Sequence, residues 1–236
     1  MNHPPRIRLV SFDVGGTLIR PHPSVGAIYA EVLGRRGFAA GAEEIDRAFE
    51  QVWEEMALES AGRERYAGFP DGERGYWGTL LRRMAARLGR SEPPAGAAEE
   101  LFEAFAHREA WRVFPEVFRV LESLRGLGMR MAVISNWDRR LPGLLRELDL
   151  RHHFGPILVS ALEGVEKPDP RIFGLAASRS GVEPREVLHV GDQEREDIEG
   201  ARRAGCHAVR VEREGAGAEG LGMVPRWLEA AEAMVR

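Results

Sequence analysis

Ile7-Arg8-Leu9-Val10-Ser11-Phe12-Asp13-Val14-Gly15-Gly16-Thr17-Leu18 is the stretch on which the reading of the whole chain turns. A largely apolar run stops at an aspartate, then two glycines and a threonine follow. Such a run reads as a buried strand, and the glycines force a turn at its end. Open α/β sheets bind ligands just beyond the carboxyl ends of their strands, which is where Asp13 projects. A carboxylate there can attack an electrophile, hold a metal or cap the turn. Taken alone the stretch reads as a turn cap; the rest of the chain tips the balance.

Downstream of Leu18 the pattern becomes helical and stays so for about ninety residues. Ser24 caps a helix whose Val25, Ile28, Tyr29, Val32 and Leu33 share a face. A second helix presents Ile45, Phe49, Val52, Trp53 and Met56, and Ser60 to Gly72 reads as a loop. A third carries Trp77, Leu80, Leu81, Met84 and Leu88, and a fourth Leu101, Phe102 and Phe105. Four consecutive amphipathic helices form a small bundle of their own, an insertion after the first strand.

Strands return further on. Met129 to Asn136, Pro156 to Ser160, Val187 to Asp192 and His207 to Val211 are apolar runs, separated by helices near 117–124, 141–148, 171–180 and 194–204. A last helix holds Trp227, Leu228 and Met234 after the Gly-rich stretch Glu214 to Gly222. Alternation of strands and helices implies right-handed crossovers and a parallel sheet. The fold class is therefore α/β, a Rossmann-like parallel sheet built from residues 1–19 and 112–236, with a helical-bundle domain at 20–111.

Composition excludes several function classes. With 33 Lys+Arg against 37 Asp+Glu, the net charge of −4 offers no polycationic surface for nucleic acid or anionic lipid. The single Cys206 cannot form an internal disulfide and reads as a buried structural thiol. The start, Met1-Asn2-His3-Pro4-Pro5, lacks a signal-peptide core, and no apolar run is long enough to span a bilayer. These features point to a cytoplasmic protein; oligomeric state stays open.

Four strand ends or adjoining loops carry polar groups: Asp13, Ser135-Asn136, Lys167, and Asp192 with Asp197. Each singly has a bland reading as a helix cap or a solvated charge. In a parallel sheet, however, these ends share one edge. Two carboxylates and a backbone carbonyl suit Mg²⁺, a hard cation preferring oxygen ligands. A lysine beside them tempers the negative charge and balances an incoming phosphate. A serine hydroxyl and backbone N–H groups can hydrogen-bond phosphoryl oxygens. Asp13 can then attack phosphorus and form an aspartyl-phosphate. That reaction needs little beyond alignment and charge neutralisation.

With these motifs in this order, the chain resembles the haloacid dehalogenase-like hydrolase superfamily over nearly its whole length. Asp13-Val14-Gly15-Gly16-Thr17 resembles the first motif, whose leading Asp is nucleophile and metal ligand. Val133-Ile134-Ser135-Asn136 resembles the second, whose Ser binds the phosphoryl group, and Lys167 in Lys-Pro-Asp-Pro-Arg-Ile-Phe the third. Gly191-Asp192 with Asp197 resembles the acidic fourth motif. The helical insertion is similar to the cap of the superfamily's first cap class. Ser135 to Leu141 and Lys167 to Phe173 further resemble the Dreg-2-like branch. The resemblance implies Asp13, Ser135 and Lys167 as catalytic residues and Gly16, Thr17 and Asn136 as substrate-binding. It implies Asp13, the Gly15 carbonyl, Asp192 and Asp197 as the Mg²⁺ site, and a small phosphorylated molecule as substrate.

One position departs from the pattern. Family phosphatases carry a general acid–base Asp two residues after the nucleophile, and here that position is Gly15. Loss of such help costs about 10²–10⁴-fold, most with poor leaving groups. Three readings stay open: a Mg²⁺-dependent phosphatase favouring good leaving groups, a 2-haloacid dehalogenase, and a non-catalytic phosphate- or partner-binding protein. Lys167 is the chain's only lysine, so a phosphonatase needing a second, Schiff-base lysine is excluded. Tyr66, Phe69, Tyr76 and Trp77 are candidates for a pocket wall or for bundle core, and Arg20 and His22 for substrate contact or linker. His189 reads as a satisfied core residue. His152-His153 lack neighbours in zinc-ligand spacing.

Overall fold

The structure, a computed structural model, describes residues 7–60, 62–213, 220–226 and 228. Of the predicted last helix, residues 223–226 and 228 are described and helical, with Leu228 buried; Trp227 and Met234, most of the Gly-rich stretch before it, and the Met1–Pro5 start lie outside the described residues. The chain divides into two units.

The first unit comprises Met1–Arg20, Val113–Trp137 and Leu148–Arg236. Its sheet begins with β1 (Leu9–Phe12); two short strands, β2 (Ile19–Pro21) and β3 (Trp111–Val113), pair with each other in a separate ribbon. The other sheet strands are β4 (Arg130–Ser135), β5 (Ile157–Val159), β6 (Val187–Gly191) and β7 (His207–Arg210). Their order is β5-β4-β1-β6-β7, every pair parallel. Both β1 and β6 are buried at every position, which is why they read as continuous apolar runs rather than alternating ones. The chain adds strands on one side of β1 before crossing to the other, so β1 sits at the switch point where such folds bind ligands.

Period-two alternation sends Leu9 and Ser11 to the same face, and the β1–β6 ladder continues past the strand with the Asp13 N–H donating to the Val190 carbonyl at 2.9 Å. On that face Leu9, Ala132, Ile134, Leu158 and Val187 pack with Ile172, Phe173, Ala176 and Ala177. The last four lie on a helix (Pro170–Ser180) that starts at an Asp169 cap, whose side chain accepts from the Arg171 N–H. Buried Val117, Val120, Leu121 and Leu124 recur at helical spacing along another helix, Val117–Gly126. Cys206 is buried, and burial pushes its thiol up to about 12, as expected of a structural cysteine.

The second unit comprises Pro21–Arg112 and Asp138–Glu147. Its four main helices are α1 (Val25–Gly34), α2 (Ala42–Glu59), α3 (Gly72–Arg87) and α4 (Ala97–Ala104). Ser24 caps α1 as expected, accepting from the Ala27 N–H at 3.0 Å. Tyr76 on α3 is the centre of the packing: Tyr66, Phe69, Trp53 and Trp77 all meet its ring edge-on at 5.1–6.1 Å. Tyr66 and Tyr76 are therefore bundle core rather than an open wall.

Two features differ from the sequence reading. The β2–β3 ribbon has three residues per strand, too few for a periodic signal. Asp138–Glu147 joins the helical unit although it directly follows the second motif. Asp138 accepts from the Trp77 indole N–H at 3.0 Å, and the Arg140 guanidinium lies 3.7 Å over the Phe102 ring.

Candidate active site

The carboxyl ends of β1, β4 and β6 bring the predicted polar groups together. Asp13 Oδ1 accepts from the Ser135 hydroxyl at 2.8 Å and from the Lys167 ammonium at 2.8 Å. The same ammonium donates to Asp197 Oδ1 at 2.5 Å. Lys167 is only 1% exposed and is the one lysine in a chain with 33 Lys+Arg residues. A compact ammonium fits between two carboxylates where a planar guanidinium fork does not. Burial works against its charge, but Asp13, Asp197 and Glu196 outweigh that and hold the ammonium above the ordinary lysine range.

Asp192 completes the group: oxygens of Asp13, Asp192 and Asp197 all lie within 4.8 Å of one another. Burial, then the charges of Asp13 and Asp197, pushes the Asp192 carboxyl up to about 7. For Asp197 burial is likewise opposed, and Lys167 and His189 hold its carboxyl well below the usual range.

Glycines permit this crowding. Gly16 has φ +73°, and a Cβ there would lie 2.5 Å from Asp192 Oδ2. A Cβ on Gly191 would lie 2.1 Å from Asp197 Cγ. Asp197 itself projects from a π-helical turn, Glu194–Glu199, where the sequence pattern predicts a plain α-helix from 194 to 204; such turns recur at functional sites.

Two residues expected to bind substrate have side chains hydrogen-bonded within the site. The Asn136 amide accepts from the Lys167 N–H at 2.7 Å and donates to the Lys167 carbonyl and to Glu196, each at 2.8 Å. With its oxygen and amide group so engaged, Asn136 positions Lys167. The Thr17 hydroxyl is buried and donates to Asp192 Oδ1 at 3.0 Å. Gly15 pairs with Ile19 as an isolated bridge, and the Trp137 indole lies close above it: a Cβ at residue 15 would meet Cζ3 at 3.2 Å. Arg20 is exposed beside the Phe114 ring, 5.8 Å from its centroid.

Arg213 is a residue that the sequence does not single out. Its guanidinium lies 3.6 Å over the Phe114 ring, donates to the carbonyls of Gly16 (3.2 Å) and Thr17, and pairs with Glu116. It thereby clamps the turn after Asp13. Nothing in its local sequence, Val211-Glu212-Arg213-Glu214, marks it out, because its partners lie about one hundred and two hundred residues away.

No described helix is long and apolar enough to cross a membrane. The family described as haloacid dehalogenase-like hydrolase matches residues 7–205. Haloacid dehalogenase-like hydrolase domain-containing protein 3 of Bos taurus is 33% identical over 213 residues, covering 89% of this chain and 84% of that protein. Phosphoserine phosphatase of Thermus thermophilus is 33% identical over 227 residues, covering 88% and 89% respectively. A crystal structure of a dehalogenase with an intermediate complex superposes with a TM-score of 0.69 at 27% identity, covering 91% of this chain and 89% of that one. Asp13, Ser135, the single lysine and the paired acids meet at one edge of a parallel sheet, and this chain belongs to the haloacid dehalogenase-like hydrolase family.

Proposed function

We propose that the chain is a Mg²⁺-dependent phosphatase acting on a small phosphorylated molecule through an aspartyl-phosphate at Asp13. The observation that carries this reading is the Lys167 ammonium between Asp13 and Asp197, with Asp192 alongside. Three carboxylates and one ammonium leave excess negative charge in a confined place, as the raised Asp192 carboxyl reflects. A hard divalent cation with oxygen ligands fits that donor set. Asp13, Asp192 and the Gly15 carbonyl would hold it. Asp197 stands behind them, since its oxygens already accept from Lys167, His189 and the Gln193 N–H. When bound, the cation supplies positive charge against the transferring phosphoryl group.

The chain's own residues then have distinct tasks. A carboxylate oxygen of Asp13 forms a bond to phosphorus as the bond to the leaving oxygen breaks, that oxygen departing with the electron pair. The Ser135 hydroxyl and the Lys167 ammonium, already on Asp13, stabilise the oxygens of the group in transit. Water attacks the phosphorus of the aspartyl-phosphate, releasing phosphate and restoring Asp13. Gly15 donates no proton to the leaving oxygen, so aryl and acyl phosphates are favoured over alkyl esters. Residues 20–111 take the cap's role of choosing the substrate in this reading, and the cytoplasm is its expected place.

A second reading has one specific support, the likeness to a dehalogenase together with Gly15, because halide leaves without a proton. Turnover of p-nitrophenyl phosphate with and without Mg²⁺ separates the two. Metal-dependent phosphate release that Asp13→Asn abolishes is the expected result. Halide release from 2-chloropropionate without divalent metal, with no phosphate release, would overturn it. Silence in both assays with Mg²⁺ still bound assigns the site to a non-catalytic phosphate- or partner-binding role.

A further inference from the structure

Behind the acids lies a buried polar string that the mechanism above does not use. Ser11 on β1 and His189 on β6 are direct neighbours in the parallel register, and both are fully buried. Ser11 Oγ lies 2.9 Å from His189 Nδ1, and His189 Nε2 lies 3.1 Å from Asp197 Oδ1. The same Asp197 oxygen takes the Lys167 ammonium, while its Oδ2 accepts from the Gln193 N–H at 2.9 Å. The Phe173 ring meets the imidazole edge-on at 5.0 Å.

A carboxylate can only accept, so the Asp197 contact puts the proton on Nε2. Burial favours the neutral ring, in which Nδ1 is then an acceptor and the Ser11 hydroxyl donates to it. We propose that His189 is a positioning residue: with its Nε2–H on Asp197 and its Nδ1 backed by the Ser11 hydroxyl, it fixes the Asp197 carboxylate and thereby the placement of the Lys167 ammonium on Asp13. The reason is geometric. One oxygen of Asp197 serves both His189 and Lys167, so turning the carboxylate to recover a lost donor carries the ammonium's acceptor away with it. Buried groups that orient a site through an intermediary are worth about 10–100-fold in affinity or activity. A polar pair that merely satisfied the core would affect the folded fraction and nothing more.

The activity arm of the test rests on the phosphatase reading; the spectroscopic arm does not. Long-range nitrogen–proton NMR of the full chain, with the His189 signal assigned by its disappearance in His189→Gln, is expected to show a protonated Nε2 and a bare Nδ1. A protonated Nδ1, whether Nε2 is bare or protonated, overturns the proposal. With p-nitrophenyl phosphate and Mg²⁺, His189→Phe is expected to lower kcat about 10–100-fold while KM stays within about twofold. His189→Gln, whose amide nitrogen reaches the Nε2 place, is expected to recover most of that loss. Equal losses in the Phe and Gln variants at equal folded fraction, or no loss in either, overturn it. Should His189→Phe fail to fold, Ser11→Ala, expected to lower kcat without changing KM, takes its place, and an unchanged kcat in it counts against the proposal. A wild type that hydrolyses no phosphate ester defeats the phosphatase reading and leaves the nitrogen spectrum to decide this one.

Discussion

The site in the first unit and the aromatic centre of the second are both buried, yet they are held by opposite physics. Around Lys167 each buried group is charged or polar, and its place is set by donors and acceptors at 2.5–3.1 Å. Around Tyr76 the rings meet edge-on at 5.1–6.1 Å, and their place is set by the fit of apolar surfaces. The lesson is that burial by itself says little about role. In the polar region an error of placement costs chemistry, while in the aromatic region it costs stability.

The harshest way to break that contrast is Lys167→Met. It leaves Asp13 and Asp197 facing each other without their cation, and losing one partner of a buried ion pair costs about 3–5 kcal/mol. Thermal unfolding should show that loss, Mg²⁺ should return part of it by supplying positive charge, and turnover should vanish. A variant as stable as wild type in EDTA would remove the electrostatic account of the site. Tyr76→Ala, at a fully buried ring, should likewise cost about 3–5 kcal/mol of stability. Here Mg²⁺ should return nothing specific, and kcat per folded molecule should stay within about twofold. A collapse of kcat with little destabilisation would move Tyr76 from core to site.

Smaller effects sharpen the comparison within the polar region. Gly191→Ala places a methyl where the Asp197 carboxylate lies, and a displacement of order 1 Å costs about 10²-fold in rate. Steady-state kinetics should show the loss in kcat; an unchanged kcat would mean that Asp197 is not needed where it stands. The mildest change is Gly15→Asp, expected to raise alkyl-phosphate hydrolysis about tenfold, short of the roughly 10²–10⁴ that a placed general acid brings. The shortfall comes from Trp137, which must yield a few tenths of an ångström to admit the new side chain. No gain in a folded, metal-binding variant, with Trp137→Ala/Gly15→Asp equally inert, would show that the missing proton donor is not what restrains the enzyme.

Much of the architecture is legible in local sequence because it obeys local rules. Continuous apolar runs give the five parallel strands, Ser24 announces α1, and helical spacing gives Val117 to Leu124 their inward face. The acids and the lysine are also legible, since in a parallel sheet every strand end reaches the same edge. What a residue does there is less so. That the side chains of Asn136 and Thr17 hold Lys167 and Asp192 is not visible locally, because partners 31 and 175 positions away have no local signature. The assignment of Asp138–Glu147 to the helical unit escapes for the same reason: Trp77 and Phe102, which hold it, are remote in the chain.

By itself, then, the sequence determined the kind of fold, the insertion of helices after the first strand, and the roster of acids with one lysine. Hydrophobic period and strand-end position are properties of neighbours along the chain, so they can be read there. Tertiary structure alone decided that Lys167 bridges Asp13 to Asp197, that Ser11 and His189 stand behind Asp197, and that Gly16 and Gly191 make room for the carboxylates. Those outcomes depend on strand register and on a π-helical turn, and hydrogen bonds a few tenths of an ångström from their optimum exist only once the whole sheet is assembled.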